Sequence, residues 1–162
     1  MPARKSQQSP AQSPEAQLRG LIAKYEPGIA ARAKAIRAAM RKRYPTAMEL
    51  VYDNYNALAI GYAPTEKTSE AIFSIALYPK WVSLFFLQAK GLPDPCRLLK
   101  GAGHVAKHIV LESPKALNDP AIEALMREAT VGARRPFSGE GKHRLVIKSI
   151  SNKQRPRRAG QA

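Results

Sequence analysis

Residues 71–87 read AIFSIALYPKWVSLFFL. Ile72, Ser74, Ala76 and Tyr78 alternate with Phe73, Ile75 and Leu77, the period of two that an extended chain imposes on its side chains. Pro79-Lys80 is short enough for a hairpin turn, so residues 81–87 are expected to return antiparallel. On that return strand Trp81, Phe85 and Leu87 share a face, which reads as core. Upstream, MELVYDNYNALAIGYAP at 48–64 has the same character, rich in Val, Ile, Leu and Tyr and short of helix punctuation. Downstream, GLPDP at 91–95 reads as loop, and LLKGAGHVAKHIVL at 98–111 as a glycine turn feeding a strand over about 105–111.

The segments outside this run are helical. Ser13-Pro14-Glu15 is a helix start: a capping hydroxyl, proline at the first position and an acid in the first turn. Leu18, Leu21, Ile22 and Tyr25 then mark one apolar face, until Pro27-Gly28 interrupts it. A second helix over 29–43 places Ile29, Ala33, Ile36 and Met40 on one side and Lys34, Arg37 and Arg41 on another. Arg41-Lys42-Arg43 suits its dipole, and Tyr44-Pro45 ends it. Asn118-Asp119-Pro120 caps a short third helix carrying Ile122, Leu125, Met126 and Ala129, with Glu123 and Arg127 at i,i+4. HRLVIKSIS at 143–151 alternates like one further strand. Helices, then strands, then a helix predict an α+β fold: a small antiparallel β-sheet with the N-terminal helices and the short C-terminal helix packed on one face.

The 162 residues allow one domain with a core of its own. No apolar run is long enough to span a bilayer, and no apolar core follows Arg4 and Lys5, so neither a membrane partner nor a secretory signal is expected and a cytoplasmic location is. Cys96 is the single cysteine, which excludes an intramolecular disulfide and a thiolate cluster. Net charge is +15, distributed unevenly: +8 over residues 1–43, −1 over 44–130 and +8 over 131–162. Three segments follow: a disordered tail over 1–14, the α+β domain over 15–130, and a basic extension over 131–162 holding the strand at 143–151.

Two sets of residues are candidates for binding. The first is the glycine turn, where Lys100, Gly101, Gly103, His104, Lys107 and His108 would surround an anion with amides, imidazoles and amines. The competing reading is a plain turn and strand. In a regular strand His104 and His108 would share one face and Lys107 the other, so the four cationic groups would not all converge. The second set is Arg134, Arg135, Lys142, Arg144, Lys148, Lys153, Arg155, Arg157 and Arg158, which would track a nucleic acid or another polyanion without reading its bases. Its competing reading is a solvated tail. Phe137 is the one aromatic among these residues, which argues against stacking on single strands. Tyr52, Tyr55 and Tyr62 with Asp53, Asn54 and Asn56 form a polar-aromatic cluster, to be read as core or as pocket rim. There is no nucleophile elbow, P-loop, dinucleotide fingerprint or Ser-His-acid set. A non-enzymatic binding domain for an anionic ligand is therefore expected, either a small phosphate-bearing molecule near the glycine turn or nucleic acid met by the basic ends, without cofactor or metal ligand set and with its oligomeric state open.

The run from MELVYDNYNALAIGY through AIFSIAL and WVSLFFL to LLKGAGHVAKHIVL, closing with AIEALMREA at 121–129, resembles the YdhG-like domain family of unknown function. The likeness covers about residues 15–130 and leaves the extension aside. It implies a small antiparallel sheet with helices on one side. Some members are described as frataxin-like iron chaperones, which implies an alternative function as an intracellular metal carrier. That alternative needs clustered carboxylates. Glu49 with Asp53, Glu66 with Glu70, and Asp119 with Glu123 and Glu128 are the pairs and triplet available, and no acidic ridge emerges from them.

Overall fold

The computed structural model describes residues 12–160. The expected tail over 1–14 lies mostly outside these residues. Helix α1 (Pro14–Ile22) opens at once, with Ser13 Oγ accepting from the Ala16 amide at 3.2 Å. Helix α2 (Pro27–Arg43) begins two residues earlier than its apolar repeat suggested, because Pro27 supplies the first helical position. Helix α3 (Pro120–Val131) is capped by Asp119, whose carboxylate accepts from the Ala121 amide at 2.9 Å.

Six strands form one sheet: β1 (Met48–Asp53), β2 (Leu58–Ala63), β3 (Phe73–Leu77), β4 (Val82–Phe86), β5 (Lys107–Leu111) and β6 (Leu145–Ile150). Their spatial order is β5-β4-β3-β2-β1-β6. The first five pair antiparallel with their neighbours in sequence. The strand of the extension joins the same sheet, and it does so parallel to β1, with Leu145 opposite Glu49 and Val146 opposite Leu50. Helix α3 and residues 132–144 carry the chain from the β5 edge to the β1 edge, the long connection that a parallel neighbour requires. A register shift between Val51 and Tyr52 lets β6 follow β1 to its end, where Ile150 sits opposite Asp53. The architecture is thus α+β, with a mostly antiparallel open sheet.

All three helices cover one face. Leu18, Ile22, Ile36, Met40, Leu125 and Met126 meet Val51, Ile60, Ile75, Leu84 and Ile109 in one buried cluster. Tyr25 crosses this core: its hydroxyl donates to the Leu77 carbonyl at 2.9 Å and accepts from the Leu58 amide at 3.1 Å. The opposite face is floored by Ala59, Gly61, Ser74, Ala76 and Ser83. A smaller cluster of Met48, Leu50, Ala63 and Ala71 lies toward one side.

Two expectations are corrected here. The hairpin at Pro79-Lys80 forms, with the Tyr78 amide bonded to the Trp81 carbonyl at 2.9 Å, but its core face carries Val82, Leu84 and Phe86. Phe85 and Leu87 are half-buried on the other face and Trp81 is 40% exposed. Alternation separates two faces without saying which one the helices cover, and here both were apolar. The strand over 105–111 is also shorter than its pattern. Lys100 and His108 exchange both backbone hydrogen bonds at 2.9 Å, so residues 101–107 reverse the chain and β5 begins only at Lys107.

Candidate functional site

The glycine turn is built by its own backbone. Gly101 sits at φ +122°, a conformation that L side chains rarely adopt, and this lets Lys100 fold back beside His108. The Lys107 ammonium donates to the Gly101 carbonyl at 2.7 Å, which closes the turn on itself. The His108 ring lies 5.1 Å from the Phe85 ring and is half-buried. His104 is exposed at the tip, outside any strand, so strand alternation does not align it with His108. Lys100, Gly101 and Gly103 are exposed around it. The fold brings Lys107 and His108 into this turn as structural partners and leaves Lys100 and His104 pointing to solvent.

The extension is docked on the sheet through β6 and Arg157, against the competing reading of its cations as a solvated tail. Of its nine Lys and Arg side chains, three form ion pairs, one of them buried and two at the surface. Arg157 is 5% exposed and donates to Asp53 at 2.7 Å, Arg144 meets Glu66 at 2.6 Å, and Arg135 meets Glu70 at 3.3 Å. The Lys148 ammonium donates to the Glu66 carbonyl at 3.2 Å, and the Arg158 guanidinium to the Lys24 carbonyl at 3.1 Å. Arg157 is accordingly removed from the polyanion set, since it is buried against its carboxylate. Arg134, Lys142 and Lys153 are exposed and form no ion pair among the described residues. Arg155 is exposed too, with its guanidinium 5.6 Å from the centre of the Tyr55 ring and its amide bonded to the Tyr55 carbonyl at 2.9 Å.

Strand β1 explains how both basic ends are held. Glu49, Val51 and Asp53 share its core face, so two carboxylates are buried there, 0% and 2% exposed. Arg37 of α2 grips Glu49 through two nitrogens, at 2.9 and 2.8 Å, and reaches Glu15 of α1 at 2.6 Å. The Tyr62 hydroxyl donates to Glu49 at 2.8 Å and His143 Nε2 donates to it at 2.5 Å. Burial alone would push Glu49 up, yet the Arg37 guanidinium, with His143 and Tyr62, holds its pKa below the ordinary 4.5. Burial, assisted by that carboxylate, pushes the Tyr62 hydroxyl well above 10. Asp53 is gripped by Arg157, which also donates to the Asn54 carbonyl at 2.5 Å and lies 5.8 Å from the Tyr25 ring. Glu49, which four donor atoms saturate, is a structural anchor and a poor proton acceptor.

The polar-aromatic cluster is divided by the fold. Tyr62 is fully buried on Glu49, Tyr52 is half-buried on the open face beside Thr68, and Tyr55 is 49% exposed. A second basic feature escaped the sequence. The C-terminal end of α2 and the 3-10 turn at Pro114–Asn118 enclose an open groove of about 550 Å³ that Lys42, Arg43 and Lys115 line. Arg43 is engaged there by the Leu117 carbonyl at 3.0 Å and by Asn118 at 3.1 Å. Arg41-Lys42-Arg43 was the only signal for it, and its helix-dipole role accounted for it fully. Among the described residues no group of three or more His, Cys, Asp or Glu is placed to hold a metal ion. No described helix is long and apolar enough to cross a membrane.

Comparison with protein-family models, with curated proteins and with solved structures finds no match for this chain.

Proposed function

We propose that this chain is a non-enzymatic binding module for an anionic ligand, and that the ligand is the phosphate backbone of a nucleic acid. The observation that carries this reading is the docking of the extension. It ties Arg155 to the Tyr55 carbonyl and sets Lys142 and Lys153 on either side of β6, all three exposed, while the body between residues 44 and 130 is near neutral. Cations held on a rigid frame neutralise phosphates with a smaller loss of side-chain freedom than cations on a loose tail. Each phosphate contact releases condensed counterions, so affinity falls with salt in proportion to the number of contacts. The metal-carrier alternative needs clustered carboxylates, and among the described residues none are gathered to hold a metal ion.

The test is a titration of labelled DNA over a range of salt concentrations. Wild type is expected to show a log affinity that falls linearly with log salt. A triple variant with Lys142→Gln, Lys153→Gln and Arg155→Gln is expected to reduce that slope by about 2–3. Binding that ignores salt, or a triple variant with an unchanged slope, removes the reading.

A further inference from the structure

The fold gathers at one end of the sheet several residues that the sequence keeps far apart. The β1–β2 turn holds Tyr55 and Asn56, and the β3–β4 turn is Pro79-Lys80, flanked by Tyr78 and Trp81. Asp53 pairs with Leu58, Leu58 with Leu77 and Leu77 with Val82, so both turns leave the sheet at the same end. Strand β6 ends opposite Asp53, and the segment after it crosses that same end, tied down by the Arg155 amide on the Tyr55 carbonyl at 2.9 Å.

An open hollow of about 730 Å³ results, lined by Asn56, Tyr78, Lys80, Trp81 and Arg155, with Pro79, Pro156 and small residues between them. It holds two cations and no carboxylate. One face of the Trp81 indole stacks on Tyr78, with centroids 4.7 Å apart and planes at 20°. Trp81 remains 40% exposed, and Tyr55, beneath the Arg155 guanidinium, 49%. Large rings presented outward beside unpaired cations are what a flat aromatic group bearing phosphates would recognise. The one aromatic of the basic extension, Phe137, packs inward on Tyr44, and folding supplies exposed rings from the two turns instead.

Resting on the polyanion reading above, we infer that this hollow is a stacking site for unpaired bases, and that the module prefers single-stranded nucleic acid to duplex. Trp81 and Tyr55 receive bases, while Lys80 and Arg155 receive the flanking phosphates. A duplex offers the same phosphates but keeps its bases stacked inside, so it gains only the electrostatic part. A membrane surface also attracts tryptophan beside cations. Interfacial anchoring, however, depends on a broad apolar face, and Lys80, Asn56 and Arg155 surround these rings instead.

Trp81 is the chain's one tryptophan, so its fluorescence reports this hollow and nothing else. The full chain is titrated at one low salt concentration with oligothymidylate, a matched duplex, a base-free sugar-phosphate oligomer, thymidine monophosphate and anionic phospholipid vesicles. Oligothymidylate is expected to change Trp81 fluorescence and to bind about tenfold more tightly than the duplex or the base-free oligomer. Trp81→Ala is expected to lose that tenfold preference with its salt slope intact, whereas Trp81→Phe keeps a ring on Tyr78 and retains most of the preference. Equal binding of single strand, duplex and base-free oligomer, with unchanged fluorescence, overturns the stacking site and leaves the polyanion reading standing. Undiminished preference in Trp81→Ala overturns it in the same way. A response to thymidine monophosphate as tight as to the oligomer replaces a strand site with a nucleotide pocket, and a response to vesicles alone makes the hollow a membrane contact. Absence of binding to every nucleic acid at low salt removes both proposals together.

Discussion

Arg157 and Asp53 are 104 positions apart in the chain, yet they meet at 2.7 Å with 5% and 2% of their side chains exposed. The pair fastens the segment beyond β6 to the end of β1. The remaining Asp53 oxygen and the Arg157 Nε are buried with no partner among the described residues. The salt link is therefore both a clamp and an incompletely satisfied polar site.

Breaking one side of it is expected to be expensive. Arg157→Met leaves the Asp53 charge buried and alone, and is expected to destabilise the fold by about 3–5 kcal/mol. The double variant with Asp53→Asn is expected to cost clearly less than the sum of the two single changes, because no unpaired charge survives. Denaturant unfolding of the four proteins in the cycle measures the coupling, and additive costs would show that the pair does not interact.

Truncation before residue 143 is expected to do more than remove positive charge. It takes away β6, the His143 bond to Glu49 and the Arg157 clamp, and it exposes the β1 edge as an unpaired strand. The truncated chain is expected to aggregate or to lose its cooperative transition, as seen by light scattering and thermal melting. A truncated chain that melts like the full one would return the extension to the status of a tail. Charge-neutralising substitutions are for this reason the cleaner probe of binding.

Acid is expected to attack the fold through Glu49. Its folded pKa lies below 4.5, so the unfolded state takes up the proton first. The stability it contributes is fully present above the unfolded value and is lost as pH falls through the depressed folded one. Glu15, lowered mainly by its hydrogen bond to Arg37, loses its contribution in the same window. Unfolding free energy measured downward from about pH 5 should drop more steeply in wild type than in Glu49→Gln. Parallel curves would show that Glu49 itself contributes no pH dependence.

At the alkaline end Tyr25 is one of several sensitive groups, since burial also raises the Tyr44 hydroxyl to about 12 and that of Tyr62 well above 10. Burial raises the Tyr25 hydroxyl to about 12 from 10.0, against the opposing pull of Arg157. The neutral form belongs to the folded state, so stability holds below pH 10 and declines as pH rises toward 12. Tyr25→Phe removes a hydroxyl that serves the Leu77 carbonyl and the Leu58 amide, and is expected to cost about 1–3 kcal/mol at neutral pH by leaving both unpartnered. Thermal melts at neutral and high pH test both effects. A Tyr25→Phe protein as stable as wild type would mean that water replaces the hydroxyl.

The strand content was legible because it is local. Alternation and the Pro79-Lys80 turn placed the central hairpin, and Ser13-Pro14 and Asp119-Pro120 placed two helix starts. The side that each strand turns inward was not legible at β4, since Trp81, Phe85 and Leu87 are as apolar as Val82, Leu84 and Phe86. Long-range chemistry left no trace in the sequence. Nothing near Arg157 distinguishes it from Arg155 or Arg158, and only the arrival of Asp53 decides that one is buried while its neighbours face outward. The same holds for the hollow at Trp81, whose lining residues come from three separate segments. The glycine stretch misled for a different reason: Gly101 is needed for a backbone reversal, and the nearby Lys107 serves that reversal.

Strand β6 also sets an order of events for folding. Every other strand pairs with a partner close by in sequence, so five strands can zip up soon after they are made, whereas Leu50 must wait for Val146. On a ribosome the nascent sheet therefore carries an open edge, with Asp53 unclamped, until the segment from β6 to Arg157 has emerged. The interval between synthesis of β5 and arrival of β6 is the time at which this protein is most exposed to mispairing, and a chaperone that shields strand edges would find its target at β1.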